Sequence, residues 1–127
     1  MTTQYVAVQE DATVNETINV IRKLDEDHPP VHYIYVLDKS KCLVGVVSLK
    51  AIALNNGNTQ MKNIMIHEDL IYVSPDESED EVSEDIFKYD LTAMPVVDEH
   101  GVLLGIVTTE DAWDAIEDDV VEKKNFT

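Results

Sequence analysis

The chain has 127 residues, 26 acidic against 9 basic, for a net charge of −17, and 44 % of its residues are hydrophobic. That length suits one compact domain with a core of its own. The charge excludes a nucleic-acid binder, which needs a basic face for phosphates, and disfavours an anionic membrane surface; a single cysteine, Cys42, excludes an intrachain disulfide.

In chain order, the N-terminus Met1-Thr2-Thr3-Gln4 has no basic and apolar signal pattern. No apolar run approaches the roughly 20 residues of a membrane span, so the chain reads as soluble. A short extended run, Tyr5–Val8, comes first. Thr13-x-x-Glu16 is a capping box, and Val14, Ile18, Ile21 and Leu24 follow at helical spacing. Prolines at 29 and 30 mark a loop. Tyr33–Asp38 and Cys42–Ser48 are apolar, β-rich runs around a polar turn, which predicts a hairpin. A second helix is expected at Leu49–Leu54, then a tight polar loop at Asn55–Asn58.

The same order then returns. Leu70–Ser74 is extended, Ser78-x-x-Glu81 is a capping box, and Val82, Ile86 and Tyr89 take helical spacing. Ala93–Asp98 and Val102–Thr108 form the second hairpin, and a last helix is expected over Glu110–Val121. The capping boxes are offset by 65 and the hairpins by 60 (Asp38 to Asp98, Gly45 to Gly105), so the first copy carries five extra residues near Pro29 and Pro30. The unit is β-α-β-β-α, twice, an α/β (α+β) fold. One copy has too few apolar positions for a core, so the two pack as one pseudo-symmetric module. The expected division is 1–57, 58–121, and a connecting segment or tail over 122–127.

Two segments hold most of the charge. The second copy's first helix brings Asp76 to Asp90, and the last helix carries Asp111, Asp114 and Asp118 as one stripe, flanked by Asp119 and Glu122. Like charges three or four apart destabilise a helix by about 0.2–0.5 kcal/mol per pair, and acids in its last turn oppose the macrodipole. A divalent cation removes that penalty; magnesium takes carboxylate oxygens and keeps several waters. A solvated acidic face is the plain alternative. The four histidines (His28, His32, His67 and His100) fall in loops or turns, and no Ser/His/Asp pattern, phosphate loop or cysteine-metal spacing occurs. The chain therefore does not read as an enzyme.

The duplicated unit, with Val96-Val97-Asp98-x-x-Gly101-x-Leu103-x-Gly105-Ile106-Val107-Thr108 in its second copy, resembles the CBS domain pair, or Bateman module. More narrowly it resembles the cytosolic CBS region of MgtE-type magnesium transporters, through Met1–Val8, Tyr33–Val36, Lys88–Thr92 and the acidic helix from Glu110 to Glu122. The resemblance implies a regulatory module that senses Mg2+, or Ca2+ in its place, at Asp80, Asp90, Asp111, Asp119 and Glu122. One acidic position of that family is Ser78 here, and the acid after Glu122 is Lys123. It also implies a homodimer on the cytoplasmic face of the cell membrane, with an acidic N-terminal domain and a transmembrane channel domain in the parent chain.

The resemblance further implies an adenine nucleotide in the cleft between copies. The residues implied are Tyr33, Lys50 and Leu91 for the first copy, and Thr108 and Asp111 for the second. The first copy has Ala51 where that motif has the carboxylate that holds ribose, while Gly105-Ile106-Val107-Thr108-Thr109-Glu110-Asp111 keeps it. Thr108 is equally explained as a helix cap.

Overall fold

The computed structural model describes residues 1–78, 80–82, 84 and 92–109. Within them the order is β1 (Val6–Gln9), α1 (Val14–Arg22), β2 (Tyr33–Leu37), β3 (Leu43–Ser48), α2 (Leu49–Leu54), a 3-10 turn (Met61–Asn63), β4 (Ala93–Val97) and β5 (Leu103–Thr108). β1, β2 and β3 form one sheet in that order, and β4 pairs β5 in a second.

Local chemistry starts each element. Thr13 caps α1 with both arms of the capping box: its hydroxyl accepts from the Glu16 amide at 3.1 Å, and the Glu16 carboxylate accepts from the Thr13 amide. Val14 and Asn15 donate to the carbonyls of Thr59 and Gly57, so the Asn55–Asn58 loop and the residue after it satisfy the open end of α1. Each hairpin turn closes on an aspartate. Asp38 accepts from the amides of Ser40 and Cys42, and Asp98 from those of His100 and Val102. Lys41 and Gly101 hold equivalent left-handed positions, at φ 67° and 86°; only the second copy uses the residue that favours that region.

The two copies are superposable in their pairing. β1 runs parallel to β2 with Val8 opposite Val36, and Val73 pairs in parallel with Val96. β2 and β3 pair antiparallel with a register shift after Val36; β4 and β5 do so with a shift after Val96. The Leu70–Ser74 run forms that single bridge and not a regular strand.

Alternation along the central strands builds three cores. Ile34 and Val36 turn toward α1 and α2, joining Val6, Val14, Val47, Ile52 and Met61. Tyr35 points to the opposite face and packs with Ala93, Leu103 and Ile106 of the second copy. Met94 and Val96 complete the third core with Val73 and Val82. The core around Tyr35 is therefore the seam between copies.

That seam is also laced by backbone. Thr2 exchanges two hydrogen bonds with Ile106 (2.8 and 2.9 Å), and Ile66 exchanges two with Val46 (2.9 and 3.0 Å). Each copy thus receives a residue from the segment that leads into the other. At the centre Cys42 bridges Val102, with Leu43 donating to the Gly101 carbonyl at 2.9 Å. No helix among the described residues is long and apolar enough to cross a membrane.

Candidate functional site

Two related clefts open on either side of the seam. The first, about 170 Å3, lies between Tyr33, Tyr35 and Val46 of the first copy, the Ile66 and Asp69–Ile71 stretch, and Ala93 and Pro95 of β4. The second has an inner part of about 20 Å3 lined by Gln4, Tyr5, Val6, Tyr35, Ala93, Ile106 and Thr108. Its outer part, about 360 Å3, is lined by Thr2, Pro29, Pro30, His32, Thr92, Thr108 and Thr109. The correspondence follows the repeat. Tyr33, Tyr35 and Val46 match Ala93, Pro95 and Ile106 at an offset of 60. Gln4, Tyr5 and Val6 match Asp69, Leu70 and Ile71 at 65.

The first cleft is mostly apolar, with Asp69 as the single charged side chain among the described residues of its lining. Asp69 is exposed and takes a left-handed backbone, φ 53°, which aspartate tolerates better than most residues. The second cleft has hydroxyls in place of a carboxylate. The Thr109 hydroxyl and amide both donate to the Thr92 carbonyl, at 3.0 and 2.9 Å, which fixes the rim.

Tyr35 lines both clefts. It is 1 % exposed, its ring meets Tyr5 edge-on at 6.0 Å, and its hydroxyl is buried with no hydrogen-bond partner. Burial, and secondly the neighbouring Tyr33 charge, raise its pKa well above the ordinary tyrosine value. It stays a neutral donor throughout the physiological range.

Of the nucleotide residues expected from sequence, Tyr33 lines both clefts and Thr108 the second. Lys50 is exposed on α2 and is not among the lining residues of the first cleft; Ser48 spends its hydroxyl capping that helix, accepting from Ala51 at 3.1 Å. Leu91 and Asp111 lie outside the described residues. Asp69 and Tyr35 were not singled out from sequence. The signal for Asp69 was its repeat partner Gln4; Tyr35 sat in a run apolar at every position, where alternation gives no clue to the face.

Of the acids expected to hold a cation, Asp80 is exposed near the start of the second copy's first helix. Ser78 caps that helix, accepting from the Glu81 amide at 3.2 Å. Asp90, Asp111, Asp119 and Glu122 lie outside the described residues. No group of three or more His, Cys, Asp or Glu side chains among the described residues is gathered to hold a metal ion.

The family model of the CBS domain matches this sequence twice, over residues 1–55 and 61–112. The chain is 39 % identical over 122 residues to the magnesium transporter MgtE of Thermus thermophilus, covering 96 % of this chain and 27 % of that protein. It is 34 % identical over 119 residues to the MgtE of Enterococcus faecalis, covering 94 % and 26 %. It thus spans about a quarter of the length of these curated relatives. Among solved structures it is similar to the cytosolic domain of the Mg2+ channel MgtE in complex with ATP. The identity there is 40 % and the TM-score 0.85, over 91 % of this chain and 46 % of that one.

Proposed function

The chain belongs to the CBS-domain family as a tandem pair, and on that premise we propose that it is the regulatory module of a magnesium transporter. It senses Mg2+ through Asp80, Asp90, Asp111, Asp119 and Glu122 and gates transport in the rest of the parent chain, at the cytoplasmic face of the membrane. It performs no catalysis itself. The observation that carries this reading is the 39 % identity to a magnesium transporter across 96 % of the chain. The net charge of −17 supports it.

The chemistry is simple. Carboxylates about 6 Å apart repel by roughly 1–3 kcal/mol between the dielectrics of water and a protein surface. Mg2+ bound between two such groups removes the repulsion and holds the elements that carry them together. Asp80, with exposed Asp76, Glu81 and Glu84 nearby in sequence, supplies the oxygen donors that Mg2+ prefers. Moving a gate from 1:99 to 99:1 takes about 5.5 kcal/mol of differential binding, so several sites act together. The copies divide at 57/58, with 122–127 the start of a connecting segment or a tail.

Thermal melting tests this. Mg2+ at about ten times its dissociation constant should stabilise by about 1.4 kcal/mol, or roughly 5 °C. The control is sodium chloride at matched ionic strength. Equal melting in both salts counts against a magnesium site in this chain. The module pairs as a homodimer, and divalent cation strengthens the pairing by relieving repulsion between two chains of charge −17. Sedimentation with Mg2+ or chelator reads this directly.

A second reading, adenine-nucleotide sensing, is favoured by the two clefts and by the relative solved with ATP. Calorimetry with ATP, AMP and adenosine tests it; no heat with any of them removes it.

A further inference from the structure

We propose that the first cleft selects nucleosides that carry no negative charge, with the Asp69 carboxylate accepting from the vicinal hydroxyls of the ribose. This rests on the nucleotide reading above and specifies its ligand.

The cleft has the shape and lining for a planar base. Its volume of about 170 Å3 is below the roughly 300 Å3 at which sites for whole drug-sized ligands begin. A base fits inside, and the sugar stays at the mouth. The walls are the rings of Tyr33 and Tyr35, the side chains of Ile66 and Ala93, and the Pro95 ring.

The mouth decides what the base may carry. Asp69 stands there, exposed, as the charged member of the lining. Its place is fixed at both ends: Ile66 is bonded to Val46, and Val73 to Pro95 and Val97. A carboxylate so placed accepts two hydroxyl donors at once, which is how an acidic residue holds a ribose diol. The same carboxylate opposes a phosphate. Two negative charges about 6 Å apart cost on the order of tenfold in affinity at effective dielectrics between water and a protein surface. No lysine or arginine is among the described residues that line the cleft, and the net charge of −17 acts in the same direction.

The second cleft is the internal comparison. It has Gln4 where the first has Asp69, and hydroxyls of Thr2, Thr92 and Thr108 in its walls. Its described lining has no carboxylate. The two clefts therefore differ in the charge of ligand they accept, although their frames are equivalent.

Amide NMR titrations of the full chain, with chelator present, test this for adenosine and for ATP. Shifts at Ile66 and Leu70 report the first cleft; shifts at Thr2 and Thr109 report the second. At the first cleft adenosine should bind at least tenfold more tightly than ATP. Asp69→Asn keeps the shape and suits the left-handed backbone. It should weaken adenosine and strengthen ATP, bringing their ratio down by about tenfold, with the melting temperature confirming an intact fold. If ATP matches or exceeds adenosine at the first cleft, or Asp69→Asn leaves the ratio unchanged, the selectivity is overturned while the nucleotide reading stands. If neither compound shifts any cleft amide, the nucleotide reading falls and takes this inference with it.

Discussion

The carbonyl oxygen of Thr2 stands 2.8 Å from the point where a β-carbon on Gly105 would lie. The close approach lets the Thr2 backbone pair with Ile106 across the seam. Gly105→Ala should therefore push the leading segment off β5, at about 1–3 kcal/mol, as for other overpacked sites. Hydrogen exchange is the sharper readout: the Ile106 amide, which donates to Thr2 at 2.9 Å, should lose protection. Retained protection would show that the segment is not held by this fit. Gly45 is the counterpart, where a β-carbon would meet the Met65 side chain, its own β-carbon 2.9 Å away.

Thr13→Ala should cost about 1 kcal/mol in urea unfolding, the usual loss for an N-cap. Thr13 also accepts, through its carbonyl, from the buried Thr17 hydroxyl at 2.9 Å. Thr13→Ser keeps the cap oxygen and should lose far less. Equal losses for the two variants would assign the effect to the methyl group and not to the cap.

These caps were legible in sequence because Ser or Thr three before Glu is a local signal. So were the hairpins: Asp38 and Asp98 close equivalent turns, and the strands fall within a residue of their expected bounds. The exchange of Thr2 and Ile66 between copies was not legible. Each contributes one isolated bridge, and a single paired residue has no periodicity to read. The 3-10 turn at Met61–Asn63 was missed for the same reason. Within α2, Ile52 turns into the first copy's core while Leu49 and Leu54 stay exposed; a six-residue helix is too short for spacing to define its face.

Tyr35→Phe should stabilise the protein by about 1 kcal/mol. Most core substitutions destabilise, but here the lost atom is a buried hydroxyl with no partner. Leaving such a donor unsatisfied costs about 1–3 kcal/mol, and removing it recovers part of that. The aromatic volume and the edge-on contact with Tyr5 remain. A loss of stability in chemical unfolding would show that the hydroxyl is paired in solution.

The same hydroxyl sets a limit at high pH. Burial raises the Tyr35 pKa in the folded state, so the folded chain holds this proton more tightly than the unfolded chain does. The sign follows. Below about pH 10, the ordinary tyrosine value, both states are protonated and the full stability is present. As pH rises past that value the unfolded state releases the proton while the folded state keeps it. The unfolded state then binds fewer protons, and stability falls. Tyr35→Phe removes this contribution, so its unfolding free energy should decline less steeply above about pH 10 than that of the wild type. Phenolate absorbance supplies the check. Folded wild type and variant should show the same number of phenolates, and the unfolded proteins should differ by one. A difference of one already present in the folded proteins would mean that Tyr35 titrates in place, open to solvent at the seam.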